Sequence, residues 1–163
     1  QLNSMKLPIV SSYSGFISNI PSIYIGTIYR VGDDQDNYTF KGFITFDISQ
    51  LSGAIIETAR LKVLSYNQEG NLDNFKPMLL MAGDWQGQVP DFNEGGDALA
   101  SISHHDFICT VPQLKAKLQE AVDNNNQYFR VMLFFTGTAS DNDNSIDMWH
   151  YRDNDIEFFV EYD

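Results

Sequence analysis

The sequence predicts an all-β protein: an antiparallel, jelly-roll-like β-sandwich with one short covering helix. Three observations lead there. Successive segments alternate apolar and polar residues with a period of two, as a strand with one buried side requires. Polar stretches rich in Asp, Asn and Gly separate those segments at short intervals. Aromatic residues, led by Phe and Tyr, make up 13% of the chain, and such bulky side chains suit a pleated, half-buried surface.

Taken in order, residues 1–14 carry no clear pattern and are expected to form a loose lead-in, with 15–163 as a single module. Phe16-Ile17-Ser18 and then Ile23 to Val31 read as β, and the acidic run from Gly32 to Asn37 as a loop. From Phe40 to Ile48 the alternation is clear. Phe40, Gly42, Ile44, Phe46 and Ile48 share one face, and Lys41, Phe43, Thr45 and Asp47 the other. Ile55 to Tyr66 repeats the pattern, with Ala59, Leu61 and Val63 opposed to Arg60 and Lys62. Asn67 to Asn74 is a polar loop, Met78 to Met81 an apolar run, and Gly83 to Gly96 a long loop.

The helix follows. Thr110 is placed as its N-cap, with Gln113 at capping-box spacing. Leu114, Leu118, Ala121 and Val122 recur at helical intervals, while Lys115, Lys117 and Gln119 take the wet side. The run Asp123 to Asn126 ends it. The chain closes with strands at Tyr128 to Phe135, Ile146 to Tyr151 and Ile156 to Tyr162.

Composition excludes several classes of partner. The 163 residues are enough to bury one core, and 43% hydrophobic content marks a globular chain. A net charge of -12 without any basic run repels a phosphate backbone and an anionic membrane surface, so neither nucleic acid nor membrane insertion is expected. No apolar run is long enough to span a bilayer. The single cysteine, Cys109, has mostly apolar flanks and reads as a buried structural thiol. Gln1 in place of a starting Met reads as the first residue of a mature or excised segment.

Two stretches resemble a known family. The run from Arg30 to Asp34, followed by Tyr38 to Ser49, resembles the opening of DNRLRE-type domains, in which a strand ending in Val-Gly leads through a polar loop to a strand ending in Phe-Asp. Ile56 to Val63 is similar to that family's next strand, and Phe129 to Phe135, the loop from Asp141 to Asn144 and the terminal strand fit the same plan. The resemblance runs from Gly15 to Tyr162 and is loosest between Asn67 and Ser103. It implies a secreted or cell-surface module, appended to a larger protein and alginate-binding in some relatives. The expectation is therefore a non-catalytic, extracellular carbohydrate-binding module whose partners are a polysaccharide or cell-surface glycan and the neighbouring domains of its parent protein. The alternatives are a structural spacer or adhesin-type domain without a small ligand and, third, a polysaccharide hydrolase or lyase.

Candidate sites follow from residue chemistry. In the segment from Asp141 to Asp147, oxygen-bearing side chains at alternate positions suit a hard cation such as structural Ca²⁺, although Ile146 stands where an EF-hand turn needs glycine. Asp141, Asp143 and Asp147, with Asp33 and Asp34 from the other acidic loop, are the candidate ligands; a solvated acidic loop is the alternative. Sugar binding calls for aromatic platforms, and the candidates are Trp85 in its loop, then Tyr38, Tyr66 and Tyr151, with Trp149 assigned to the core. Arg30 and Lys41, with Arg60 and Lys62, are the cations an acidic glycan would need on one face. His104-His105-Asp106 is a fragment of a metal site without further ligands, and adjacent strand residues would point apart. No nucleophile elbow, HExxH or phosphate-binding loop is present, and no catalytic residue is assigned.

Overall fold

The computed structural model describes residues 1–83 and 89–163. It is an antiparallel β-sandwich with, among the described residues, a single α-helix. The strands are β1 (Asn3–Lys6), β2 (Gly15–Ser18), β3 (Ile23–Ile25), β4 (Ile28–Asp33), β5 (Thr39–Asp47), β6 (Ile56–Glu69), β7 (Met78–Ala82), β8 (Asp97–Ile102), β9 (Phe107–Cys109), β10 (Tyr128–Phe135) and β11 (Asp147–Tyr162); the helix α1 spans Pro112–Asp123. Hydrogen bonding runs in the order β8-β7-β10-β5-β4-β11-β6-β9, with β2 and β3 added beside β5 and β1 beside β11.

The array turns a corner at β4–β5, where only Gly32–Phe40 and Asp33–Thr39 pair. On either side of that corner lie the two layers. Their rings meet in between: Phe158 packs edge-on against Phe46 at 5.0 Å and Phe129 at 5.9 Å, and Trp149 against Phe135 at 4.9 Å. Inward residues of β6 (Ala59, Leu61, Val63) and β11 (Ile156, Phe158, Val160) are buried, as the alternation requires.

The strands depart from expectation in four places. Residues 3–6 are no loose lead-in. They pair with the last strand, Asn3 opposite Tyr162 and Lys6 opposite Phe159, and Leu7 is buried behind them. The segment 23–31 is two strands, broken around Gly26. Residues 67–69 continue β6 rather than opening a loop, because β11 pairs with them. Finally, β5 is buried on both faces. A second small cluster of Ile17, Phe43, Met81 and Met132 lies outside the main core, joined by Phe92 and Phe134. Over the same outer face, the segment after β1 crosses β5: Val10 N–H donates to Thr45 O at 2.8 Å, and Thr45 Oγ donates to Tyr13 O at 2.7 Å.

The helix buries Leu114, Leu118, Ala121 and Val122 as its periodicity predicts. Full burial of each leucine contributes about 1.5–3 kcal/mol. Its start differs from the expectation. Val111 is the N-cap, without a side-chain bond, and Pro112 occupies the first turn, where its missing N–H costs nothing and its fixed φ suits the helix. Gln119 is not simply wet, since its side chain accepts from Ile56 N–H at 2.7 Å and donates to Ala54 O at 3.1 Å.

Candidate functional site

The site begins with strand register. Asp33, at the end of β4, pairs directly with Asp147, at the start of β11. Like charges opposite one another on neighbouring strands are destabilising by themselves. Both residues are nonetheless buried, at 0% and 2% exposure. Asp141, exposed in the loop before β11, completes a group whose three carboxylates each offer an oxygen within 4.8 Å of the others.

Glycine allows the backbone to close in. Gly70 has φ of +76°, and a Cβ there would stand 2.1 Å from Asp147 Oδ1. With glycine in place, the next residue's amide, Asn71 N–H, donates to Asp147 Oδ1 at 2.8 Å. Ser140 Oγ–H likewise donates to Asp33 Oδ2 at 2.8 Å. Each buried carboxylate thus anchors one oxygen, while Asp33 Oδ1 and Asp147 Oδ2 remain buried without a hydrogen-bond partner. Burial pushes the Asp33 carboxyl up to about 6, the charges of Asp147 and Asp141 add to that shift, and the Ser140 hydroxyl and the Asp141 backbone N–H oppose it.

The two acidic loops identified from sequence do meet. Asn37 Nδ2 donates to Asn144 Oδ1 at 2.7 Å, and Asn144 N–H donates back to Asn37 Oδ1 at 3.1 Å. Asn37, Asn142 and Asn144 take left-handed φ of 63°, 57° and 59°, which asparagine tolerates better than most residues. Of the five expected ligands, Asp33, Asp141 and Asp147 converge. Asp34 and Asp143 do not, because each closes its own turn: Asp34 Oδ1 accepts from Asp36 and Tyr38 N–H, both at 3.0 Å, and Asp143 Oδ1 from Ser145 N–H at 2.9 Å.

Beside this cluster an open groove of about 390 Å³ is lined by Gln68, Asn71, Asp73, Lys76, His104 and His105, with Trp149 at its edge. Asn71 belongs to both features, as its amide holds Asp147. The histidines lie in a bend rather than a strand, so their rings lie together, tilted by 36° with centroids 4.0 Å apart, instead of pointing to opposite faces. His105 Nδ1 lies 3.0 Å from Asp106 Oδ1. The polar character of 67–74 was visible in the sequence, but no spacing singled out Gln68, Asn71, Asp73 or Lys76. A larger groove of about 490 Å³ lies between β6 and α1, walled by Glu57, Arg60, Lys115 and Glu161.

The expected sugar contacts scatter. Tyr38 and Tyr66 are exposed at 38% and 39%, and the Arg152 guanidinium lies 5.0 Å above the Tyr66 ring. Tyr151 is no platform. It is fully buried, its hydroxyl donating to His105 O at 2.8 Å, because it faces the inside of β11. Arg30 lies 5.1 Å above the Phe16 ring. Lys41 does not join it: its ammonium lies over Phe92 and Phe134 on the other layer and donates to Phe92 O at 2.8 Å, and burial lowers its pKa. The expected gathering of Arg30, Lys41, Arg60 and Lys62 therefore does not occur. Trp85 lies outside the described residues. Trp149 is core at 3% exposure, and Cys109 is a buried thiol whose pKa burial pushes up.

No protein-family model matches the chain, and no curated protein matches it.

Proposed function

We propose that this chain is a non-catalytic, extracellular glycan-binding module that serves a larger protein. The observation that carries the reading is the groove of Gln68, Asn71, Asp73, Lys76, His104 and His105. Amides, imidazoles, a carboxylate and an ammonium converge there, and such a set can donate to and accept from the paired hydroxyls of a sugar. The two adjoining imidazoles add an aromatic wall. The resemblance of β4–β6 to DNRLRE-type domains supports the same reading, and the charge of -12 argues against nucleic acid as the competing polymer.

Calorimetric titration of the full chain with a panel of neutral and acidic polysaccharides tests this. A glycan that binds should lose affinity in Asn71→Ala and His104→Ala while Tyr66→Ala, outside the groove, keeps it. Silence across the panel would return the chain to the spacer or adhesin reading, which the inward turn of Trp149 and Tyr151 favours. Turnover of a bound glycan by the isolated chain would make it an enzyme.

A further inference from the structure

We infer that Asp33, Asp141 and Asp147 form a calcium site that clamps the end of β4, the start of β11 and the loop 138–146 together. An acidic cluster by itself says little, since acidic loops are commonly just solvated. Here the decisive observation is different. Asp33 and Asp147 are almost wholly buried, and each leaves one oxygen, Oδ1 and Oδ2 respectively, without a hydrogen bond. Buried carboxylate oxygens require a partner, because losing water without replacement is costly. The charges acting on Asp33 are those of Asp147 and Asp141, all negative. A cation supplies what the protein lacks.

The geometry selects the kind of ion. Oxygens that share one Ca²⁺ at about 2.4 Å stand no more than about 4.8 Å apart, the separation within which these three ligand atoms fall. Among the described residues the group holds neither His nor Cys, which removes the ligands that favour zinc. Calcium accepts irregular sets of six to eight oxygens, whereas Mg²⁺ demands a near-ideal octahedron. Asp141 is on the exposed side, where water completes the shell. Asp33 Oδ2 is held by Ser140 and Asp147 Oδ1 by Asn71, which restrains both carboxylates before an ion arrives.

This proposal stands apart from the groove's ligand. A chain that binds calcium but no glycan would leave it intact and overturn only the glycan reading. The test is titration of the chelator-stripped full chain with CaCl₂, followed by calorimetry and by thermal unfolding. One ion per chain and a Tm that climbs with calcium concentration are expected. Asp141→Asn, a surface change that leaves the core untouched, should weaken calcium binding at least about tenfold, and Asp33→Asn should abolish it. Asp34→Asn should bind within about twofold of the parent, since that side chain closes a turn outside the cluster. Identical melting in calcium and chelator with no heat of binding would overturn the proposal. So would equal losses in Asp34→Asn and Asp141→Asn, or tighter binding of Zn²⁺ than of Ca²⁺.

Discussion

Two regions of this molecule bury charge, and they do so in opposite ways. On the outer face of β5 and β10, Arg130 is fully buried, yet its guanidinium donates to Thr45 Oγ at 3.0 Å and Tyr13 O at 3.3 Å and lies 4.9 Å over the Phe43 ring. Glu94 stands 4.0 Å away as a counter-charge. At the β4–β11 junction, by contrast, carboxylates face carboxylates. At Arg130 the counter-charge lies within the chain, whereas at the junction the neighbouring charges share one sign. Burial alone therefore does not mark a binding site; the sign of the neighbours does.

That contrast can be broken by experiment, and the largest effect should come from the Arg130 side. Arg130→Ala should cost ~3–5 kcal/mol, since it strips a buried network of its central charge. Chemical denaturation should register that loss equally in calcium and in chelator. A calcium-sensitive loss would mean that the two regions are coupled.

Gly70→Ala comes next, at about 2–3 kcal/mol, combining a left-handed φ with a Cβ driven into Asp147. Unlike the arginine change, it should also blunt the rise in Tm with calcium. Thermal melts with and without the ion separate the two variants.

A smaller effect concerns pH. In chelator, Asp33 keeps its proton up to about 6 in the folded chain, against an ordinary value of 3.8. The folded state thus holds the extra proton, so this contribution to stability is fully present below 3.8 and is lost as pH rises through 6. Among the described residues the groups acting on Asp33 are Ser140, Asp147 and Asp141, none of them cationic. Melts from pH 4 to 7 in chelator should show the decline, and Asp33→Asn should flatten it.

The smallest expected change is at Tyr66. Tyr66→Ala removes an exposed ring and should move stability by less than ~0.5 kcal/mol. A larger loss would show that its stacking with Arg152 matters to the fold.

Legibility followed physical range. The helix face of Leu114, Leu118, Ala121 and Val122 and the inward faces of β6 and β11 are written in local periodicity, and both appear where the pattern puts them. The N-terminal strand was not legible. Asn3 to Lys6 have no strong alternation of their own, and β11 recruits them from the far end of the chain. The outer face of β5 misleads for a related reason: Phe43 and Thr45 look solvated until residues 10–13 and Phe92 are laid over the sheet. At the candidate site the residue types were visible but not their selection among near neighbours. Asp33 differs from Asp34, and Asp141 from Asp143, only in what each oxygen meets.

The one-dimensional pattern of this chain determined its class, its helix and most of its buried residues, because alternation and helical spacing act between residues a few positions apart. Only the tertiary structure decided that Asp33 stands opposite Asp147, with Asn71 and Ser140 each occupying one of their oxygens. Those partners are brought together by sheet register and by a glycine at residue 70, and register is set by the packing of the whole sandwich.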